Sequence, residues 1–273
     1  MIEQKPGLGV VIVTYNSAAH IGRCLDSLGH HPDQEIMVVD NGSSDDTKSR
    51  LIRRPDILQI NNPTNRGYSA AANQGAARLS REFLCFLNPD CEAPSGFIAA
   101  ALNNLQQHPD DCLVPAALIG PRGRIAAKRL GYTGRRLIVD ILRDNYWHLP
   151  TRWMAEASSA TAGWYWPHGA CILIRRNLFR DIGGFDERYP MYMVDVEFGR
   201  RLHAAGHEIR CLEQDLVHHE GNGSAIGSVE RLNLLNQGRI TYGLHNYGVS
   251  FAALLSLLAW PGYLLRKTLS GTG

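Results

Sequence analysis

The sequence predicts an α/β fold: a mostly parallel, Rossmann-like sheet flanked by helices, with further helices at the C-terminus. Three observations carry this. Short β-branched runs alternate with segments of helical periodicity through the first 118 residues, the pattern of repeated βα units. Small polar residues follow the runs, where such sheets collect ligands. There are no internal repeats and no low-complexity tracts.

The elements follow in order. GVVIVTY, residues 9–15, is a continuous apolar run suited to a strand buried on both faces. In 18–28, Ile21, Cys24, Leu25 and Leu28 recur at helical spacing. EIMVVD is a second strand, and the small polar residues 43–46 after it start a helix. ILQIN, FLCFLN and CLVPAAL are three more strands, separated by helices over 69–79 and 95–108. Between 120 and 163 the pattern loosens into Gly, Arg and aromatic residues, with seven basic side chains in 122–143, and reads as an insertion over the sheet edge. Regularity returns with the strand ACILIRR, a short helix, the turn GGFDE and a helix after Asp195 with Phe198, Leu202 and Ala205 on one stripe. Residues 229–247 are helical and lead into an apolar tail. These elements make one domain over 1–245, with a first half at 8–118 whose strand ends converge on one ligand pocket and a second half at 119–245, followed by the tail at 246–273.

Composition narrows the function classes. With 44% hydrophobic and 20% charged residues, the chain of 273 residues has the make-up of a globular protein. A formal charge of +2 is too mild to indicate nucleic acid as a partner. The six cysteines stand in apolar segments without metal-ligand spacing and read as buried thiols of a reducing compartment. MIEQKPGLGV has no apolar core of a signal peptide, so the expected location is cytoplasmic. VSFAALLSLLAWPGYLLRK suits a helix on a membrane surface, with Pro261 breaking it; a helix packed on the domain's own core is the alternative. GNGSAIG is not a dinucleotide fingerprint, since its third glycine is misplaced, and no phosphate-binding G-x-x-x-x-G-K-[ST] loop occurs.

Four positions are able to carry chemistry. Asp40 closes a strand and can accept hydrogen bonds from a base or ribose, or cap its own turn. In Asn88-Pro89-Asp90 the proline fixes a sharp exit from the sheet, and Asp90 either binds a divalent cation or lies in a plain loop. Magnesium or manganese on nucleotide phosphates needs only one or two protein carboxylates. Asp195 precedes a helix as a functional acid or as an N-cap, with Glu197 two residues on. His218 and His219 offer imidazoles to a metal or a diphosphate, or form a structural pair.

Taken in order, VVIVTYNSAAHIGRCLDSL, VVDNGSSDDT, NPTNRGYSAAANQGA, FLNPDCE, WPHGACILIRRNLFRDIGGFDERYPMYMVDVEF and VHHEGNGS resemble family 2 glycosyltransferases, especially their rhamnosyltransferase-like branch. The resemblance covers residues from about 10 to 245 and implies a GT-A fold and an inverting, metal-dependent transfer. The sugar passes from a nucleotide diphosphate, dTDP-rhamnose as the leading choice, to a glycan or lipid-linked glycan of the bacterial surface, at the inner face of the membrane. It implies that Thr14, Tyr15, Asn16 and Asp40 hold base and ribose, with Arg66 and Asn73 beside them and Asn88 toward the ribose. Asp90 then faces Mg2+ or Mn2+, assisted by His218 or His219. Gly169 and Ala170 form the floor under the donor sugar, and Asp195 matches the general base. The chain departs from the family pattern at Val194, where Glu is usual, and at Glu197, where Asp is common. A sugar nucleotidyltransferase and a noncatalytic nucleotide-binding module are the alternatives.

Overall fold

A computed structural model describes residues 5–120, 123–146, 163–212, 216–219 and 228–270, with the backbone alone for 216–219. Its centre is a seven-stranded sheet. The strands are β1 (Lys5–Thr14), β2 (Gln34–Asp40), β3 (Leu58–Asn61), β4 (Arg81–Leu87), β6 (Cys112–Val114), β11 (Cys171–Arg175) and β12 (Ile209–Cys211), in the order β12-β6-β11-β4-β1-β2-β3. β1 runs parallel to β2 and β4, β2 to β3, and β6 to β12, whereas β11 is antiparallel to β4 and β6. The β-branched runs predicted as double-faced strands are buried, with Val10, Ile12, Val38 and Val39 fully enclosed. Each such side chain stabilises the fold by about 1.5–3 kcal/mol. The helices α1 (Ile21–Ser27), α2 (Thr47–Ile52), α3 (Tyr68–Ala76) and α4 (Phe97–Gln107) connect or flank these strands.

CLVPAAL is two strands rather than one. Pro115 cannot donate to a ladder, and there the chain leaves the central sheet after β6. It then enters a four-stranded sheet of β5 (Cys91–Glu92), β13 (Leu216–His219), β7 (Ala117–Gly120) and β8 (Gly123–Ala126). The described residues of the stretch read as a loose insertion also form regular elements. It contributes β8, then β9 (Lys128–Leu130), which pairs antiparallel with β10 (Tyr165–Pro167), and α5 (Gly134–Asn145). Thr133 starts α5 by accepting the Arg136 N–H at 3.2 Å.

Further on come α6 (Arg176–Asp181), α7 (Val194–Ala204), α8 (Ser228–Tyr247) and α9 (Val249–Ser270). Buried polar pairs bind α5 to α8: Asn145 and Asn236 exchange amide hydrogen bonds at 3.0 Å, and Arg239 reaches Asp144 at 2.6 Å. Burial works against the Asp144 charge, but the Arg239 and Arg143 guanidinia keep its carboxyl below the usual range.

The expected break at Pro261 does not occur, for α9 continues through it. Proline removes one N–H and frees the carbonyl four residues earlier. Here that is Leu257, whose side chain is 74% exposed, so the loss falls on the outer face. The inner face holds the helix: Leu255 and Ala259 join the main core, and Gly262 packs on Asn145 and Tyr146. By length and composition, Val249–Thr268 is able to cross a membrane. Cys24, Cys85, Cys91, Cys112 and Cys171 are buried free thiols as expected, but Cys211 is exposed.

Candidate active site

The ends of β1 and β2 make the first wall. Thr14 and Asp40 are register partners, both fully buried. Asp40 Oδ2 accepts the Ser43 N–H at 3.2 Å and lies 3.7 Å from Lys48 Nζ, while Asp40 Oδ1 and Thr14 Oγ1 have no partner among the described residues. Two orphaned polar atoms side by side are a costly arrangement in a protein alone. They suit a ligand with donor and acceptor edges, as a nucleobase has.

The loops above are sewn together through side chains. Asn16, in a left-handed conformation with φ 51°, donates its N–H to Ser43 Oγ at 2.9 Å and accepts the Ser44 N–H at 2.8 Å on Oδ1. Tyr15 beside it is half-buried. Burial works against the Asp45 charge, but the Thr47 hydroxyl and the N–H groups of Ala18 and Thr47, all of which donate to it, together hold its carboxyl below the usual range. Asn41, which sequence reasoning passed over, is the hub of residues 62–67. Its Nδ2 donates to Asn65 Oδ1 and the Gly67 carbonyl, and its Oδ1 accepts from Arg66 N–H and Asn62 Nδ2. Arg66 is thereby placed at this edge with its side chain exposed. Asn73, expected beside base and ribose, stands on α3. Its amide clamps the 183–187 turn, accepting Phe185 N–H at 2.9 Å and donating to the Phe185 carbonyl at 2.8 Å and Glu187 at 3.2 Å.

The second wall stands at the end of β4. Asn88 donates its N–H to the Ala170 carbonyl at 2.9 Å, which ties the exit of β4 to the start of β11. Asp90 is 5% exposed, directly before β5. β13 pairs with β5, so the backbone of His218 lies opposite Glu92 and that of His219 opposite Cys91. The two imidazoles lie outside the described residues. Among the described residues no three metal-ligating side chains cluster around Asp90. That fits a cation shared with phosphates, which supply most of its oxygen ligands, and does not fit an all-protein cage.

Between the walls stands Asp195. It is no N-cap: the cap is Met193, at φ 66°, and Asp195 is the second residue of α7. Its Oδ2 accepts the Gly169 N–H at 3.0 Å, and a Cβ on Gly169 would meet the same oxygen at 3.2 Å. Ala170 is fully buried and contributes its backbone. Burial raises the Asp195 carboxyl to about 6; the Gly169 and Val196 N–H groups and the Arg129 charge limit the rise. Tyr68, another residue not singled out from sequence, shares this pocket: burial and then the Asp195 charge push its hydroxyl upward. Val194 is part of the core at 3% exposure, so the residue replacing the family's Glu packs inward. Glu197 is buried and chelated by Arg201 at 2.8 Å on both oxygens, and Arg201 also donates to the carbonyls of Ile182 and Gly184. Glu197 is an anchor for the 182–184 turn.

The buried polar edge at β1 and β2, the carboxylate leaving β4 and the α7 acid held by Gly169 match the layout expected of a nucleotide-sugar transferase of the GT-A fold. Similarity to known proteins agrees. Residues 9–183 match the family described as glycosyl transferase family 2, and the chain belongs to that family. It is 29% identical over 245 residues to N-acetylglucosaminyl-diphospho-decaprenol L-rhamnosyltransferase of Mycobacterium tuberculosis, covering 80% of this chain and 77% of that one. It is 31% identical over 225 residues to the O-antigen biosynthesis protein RfbC of Myxococcus xanthus, covering 77% of this chain and 17% of that protein. The fold is similar to that of S. aureus TarS 1-349 in complex with UDP, with a TM-score of 0.56, 18% identity and coverage of 87% and 65%. It is also similar to the mannosyltransferase PcManGT from Pyrobaculum calidifontis in complex with GDP-Man and Mn2+, with a TM-score of 0.58, 17% identity and coverage of 99% and 76%.

Proposed function

We propose that this glycosyltransferase performs an inverting transfer of rhamnose from a nucleoside diphosphate to a lipid-linked, N-acetylglucosamine-containing acceptor, at the inner face of the cell membrane. The observation that carries the mechanism is the Asp195 carboxylate, raised to about 6 and aimed by Gly169 N–H at the start of β11. At neutral pH most of it is ionised, yet it is a stronger base than an ordinary aspartate. It takes the proton of the acceptor hydroxyl as the oxygen forms its bond to the anomeric carbon, on the face opposite the departing diphosphate. Thr14 and Asp40 hold the base, and Asn16, Asn41 and Arg66 shape the loops over ribose and phosphates.

Asp90 would hold a divalent cation, Mg2+ or Mn2+, with His218 or His219 as a further contact. Bound there, the ion supplies electrostatic stabilisation for the leaving diphosphate. The choice of sugar and acceptor is supported by the relative that acts as a rhamnosyltransferase on N-acetylglucosaminyl-diphospho-decaprenol. Peripheral membrane contact is supported by α9, whose outer stripe exposes Leu254, Leu257, Trp260, Leu264 and Leu265 and ends at Arg266 and Lys267.

The test is incubation with dTDP-rhamnose and a panel of UDP- and GDP-sugars, with manganese and a prenyl-diphosphate-linked N-acetylglucosamine. The expected result is one rhamnosylated product, free nucleoside diphosphate and an inverted anomeric centre by proton NMR. A retained anomeric configuration would contradict the assignment of Asp195. Transfer confined to another sugar would overturn the choice of donor.

A further inference from the structure

The two cations at the start of β9 have different surroundings. Alternation along the strand sends Lys128 and Arg129 to opposite faces of the β9–β10 ribbon. Lys128 Nζ stands 4.2 Å over the Tyr165 ring, on one face. Arg129 Cζ stands 5.2 Å from the Trp166 ring, directly across the ladder on the other. That second face turns toward Asp195: a Cβ on Gly199 of α7 would collide with Trp166 at 2.6 Å, and the charge of Arg129 acts on the Asp195 carboxyl. His168 stacks on Trp166 at 6.4 Å and leads into Gly169, the residue that aims Asp195.

Arg129 is exposed and forms no ion pair among the described residues. Its neighbours differ. Arg136 and Arg143 both face the buried Asp140, at 3.8 and 2.9 Å. The ring beneath the Arg129 guanidinium limits its freedom, and a preorganised cation loses less entropy when it meets an anion.

Strand order shows which anion. The nucleotide edge lies at β1 and β2, Asp90 at the end of β4, and Asp195 by the start of β11. The β9–β10 ribbon lies beyond these, packed against β6 and β12. Arg129 is therefore on the side of the catalytic carboxylate away from the donor. Past β9, Gly134 packs on Phe251 and Tyr247, where the apolar stripe of α9 begins. Carboxylate, guanidinium and apolar helix follow one another as do the reacting hydroxyl, the diphosphate and the hydrocarbon of a prenyl-diphosphate sugar.

We infer that Arg129 reads the phosphate on the anomeric carbon of the acceptor sugar, so that this face of the β9–β10 ribbon selects diphosphate-linked acceptors over neutral glycosides. The inference rests on the transfer reaction proposed above. Its test compares kcat/KM for farnesyl-diphosphate-linked N-acetylglucosamine with that for an octyl N-acetylglucosaminide, in nonionic detergent free of phospholipid. Taking the ratio cancels any effect of Arg129 on the basicity of Asp195, which acts on both acceptors. The wild-type preference for the diphosphate acceptor should fall about 10- to 100-fold in Arg129→Met, the scale of one charge-assisted hydrogen bond, and recover partly in Arg129→Lys. Lys128→Met, which removes the same charge from the opposite face, should keep the preference.

An unchanged ratio in Arg129→Met, or an equal fall in Lys128→Met, overturns the inference. So does a matching loss of UDP or dTDP affinity by calorimetry in Arg129→Met, which would assign the guanidinium to the donor. Wild-type protein that uses both acceptors equally well sinks the inference alone. Wild-type protein that glycosylates neither acceptor sinks the proposed reaction itself.

Discussion

The two sides of Asp195 are built by different means. On the side proposed for the donor, short side chains at strand ends bond to backbone N–H and C=O groups of neighbouring loops, as Asn16, Asn41 and Asp45 do. On the acceptor side, long cations lie over rings and paired helices bury ladders such as Asn145 with Asn236. A side chain bonded to backbone fixes the path of the chain itself, which suits a site that holds the same nucleotide at every turnover. A cation over a ring fixes only its own head group, so that residue can be exchanged without moving the scaffold.

The strongest way to break this contrast is at the carboxylate between the sides. Asp195→Asn should lower turnover about 10²- to 10⁴-fold while donor affinity stays near wild type, because the lost group acts on the acceptor's proton. In the wild type, kcat/KM should fall on the acid side with an apparent pKa of about 6. Stability moves the other way. The folded-state pKa is raised, so the native protein binds this proton more tightly than the unfolded chain does, and ionisation at neutral pH opposes folding. Asp195→Asn should therefore raise Tm at pH 7–8, by an amount that vanishes as pH falls from about 6 toward 4. A lowered Tm at pH 7.5 would show that the Gly169 bond needs the charge.

Next in size is Asp90→Ala, which should remove the manganese dependence of nucleotide-sugar affinity in calorimetry and leave the fold intact. If manganese still strengthens donor binding in that variant, Asp90 is outside the cation site. Asn41→Ala then tests whether the donor edge is stitched as described. Its buried partner Asn62 would lose a bond worth about 1–3 kcal/mol and three half-buried bonds would go with it, so a fall in Tm of roughly 5–10 °C is expected. Glu197→Gln should weaken the Arg201 anchor and keep turnover within about tenfold of wild type. An inactive, folded Glu197→Gln would move the base assignment to it. The smallest effect belongs to Leu257→Asp on the outer stripe of α9: Tm within about a degree, since exposed substitutions change stability by under about 0.5 kcal/mol, but weaker flotation with anionic vesicles.

The strand ends of β1, β2 and β4 were largely legible in the sequence because their signals are local. A β-branched run followed by Asp-Asn-Gly or Asn-Pro-Asp declares a strand end and a turn within a few residues. The acceptor side was read less well. The apolar spacing of α5, with Leu137, Val139 and Ile141 buried, was hidden among arginines whose charges Asp140 and Asp144 neutralise. Pro261 read as a helix end because the sequence does not show that the freed carbonyl faces outward. The raised pKa of Asp195 was equally out of reach, since it comes from burial in the folded chain and is limited by the N–H of Gly169, which is distant along the chain. Asn41 was missed for the same reason, its partners lying in the 62–67 loop.

One register has a consequence for biosynthesis. β5 follows Asp90 directly, but its partner β13 is made more than a hundred residues later. During synthesis the strands β1 to β4 are able to pair as they emerge, bringing Thr14 and Asp40 together early. The neighbourhood of Asp90 stays incomplete until β13 slides in between β5 and β7, after Asp195 and α7 have been made. A polypeptide interrupted before β13 therefore lacks the pairing that completes the surroundings of Asp90.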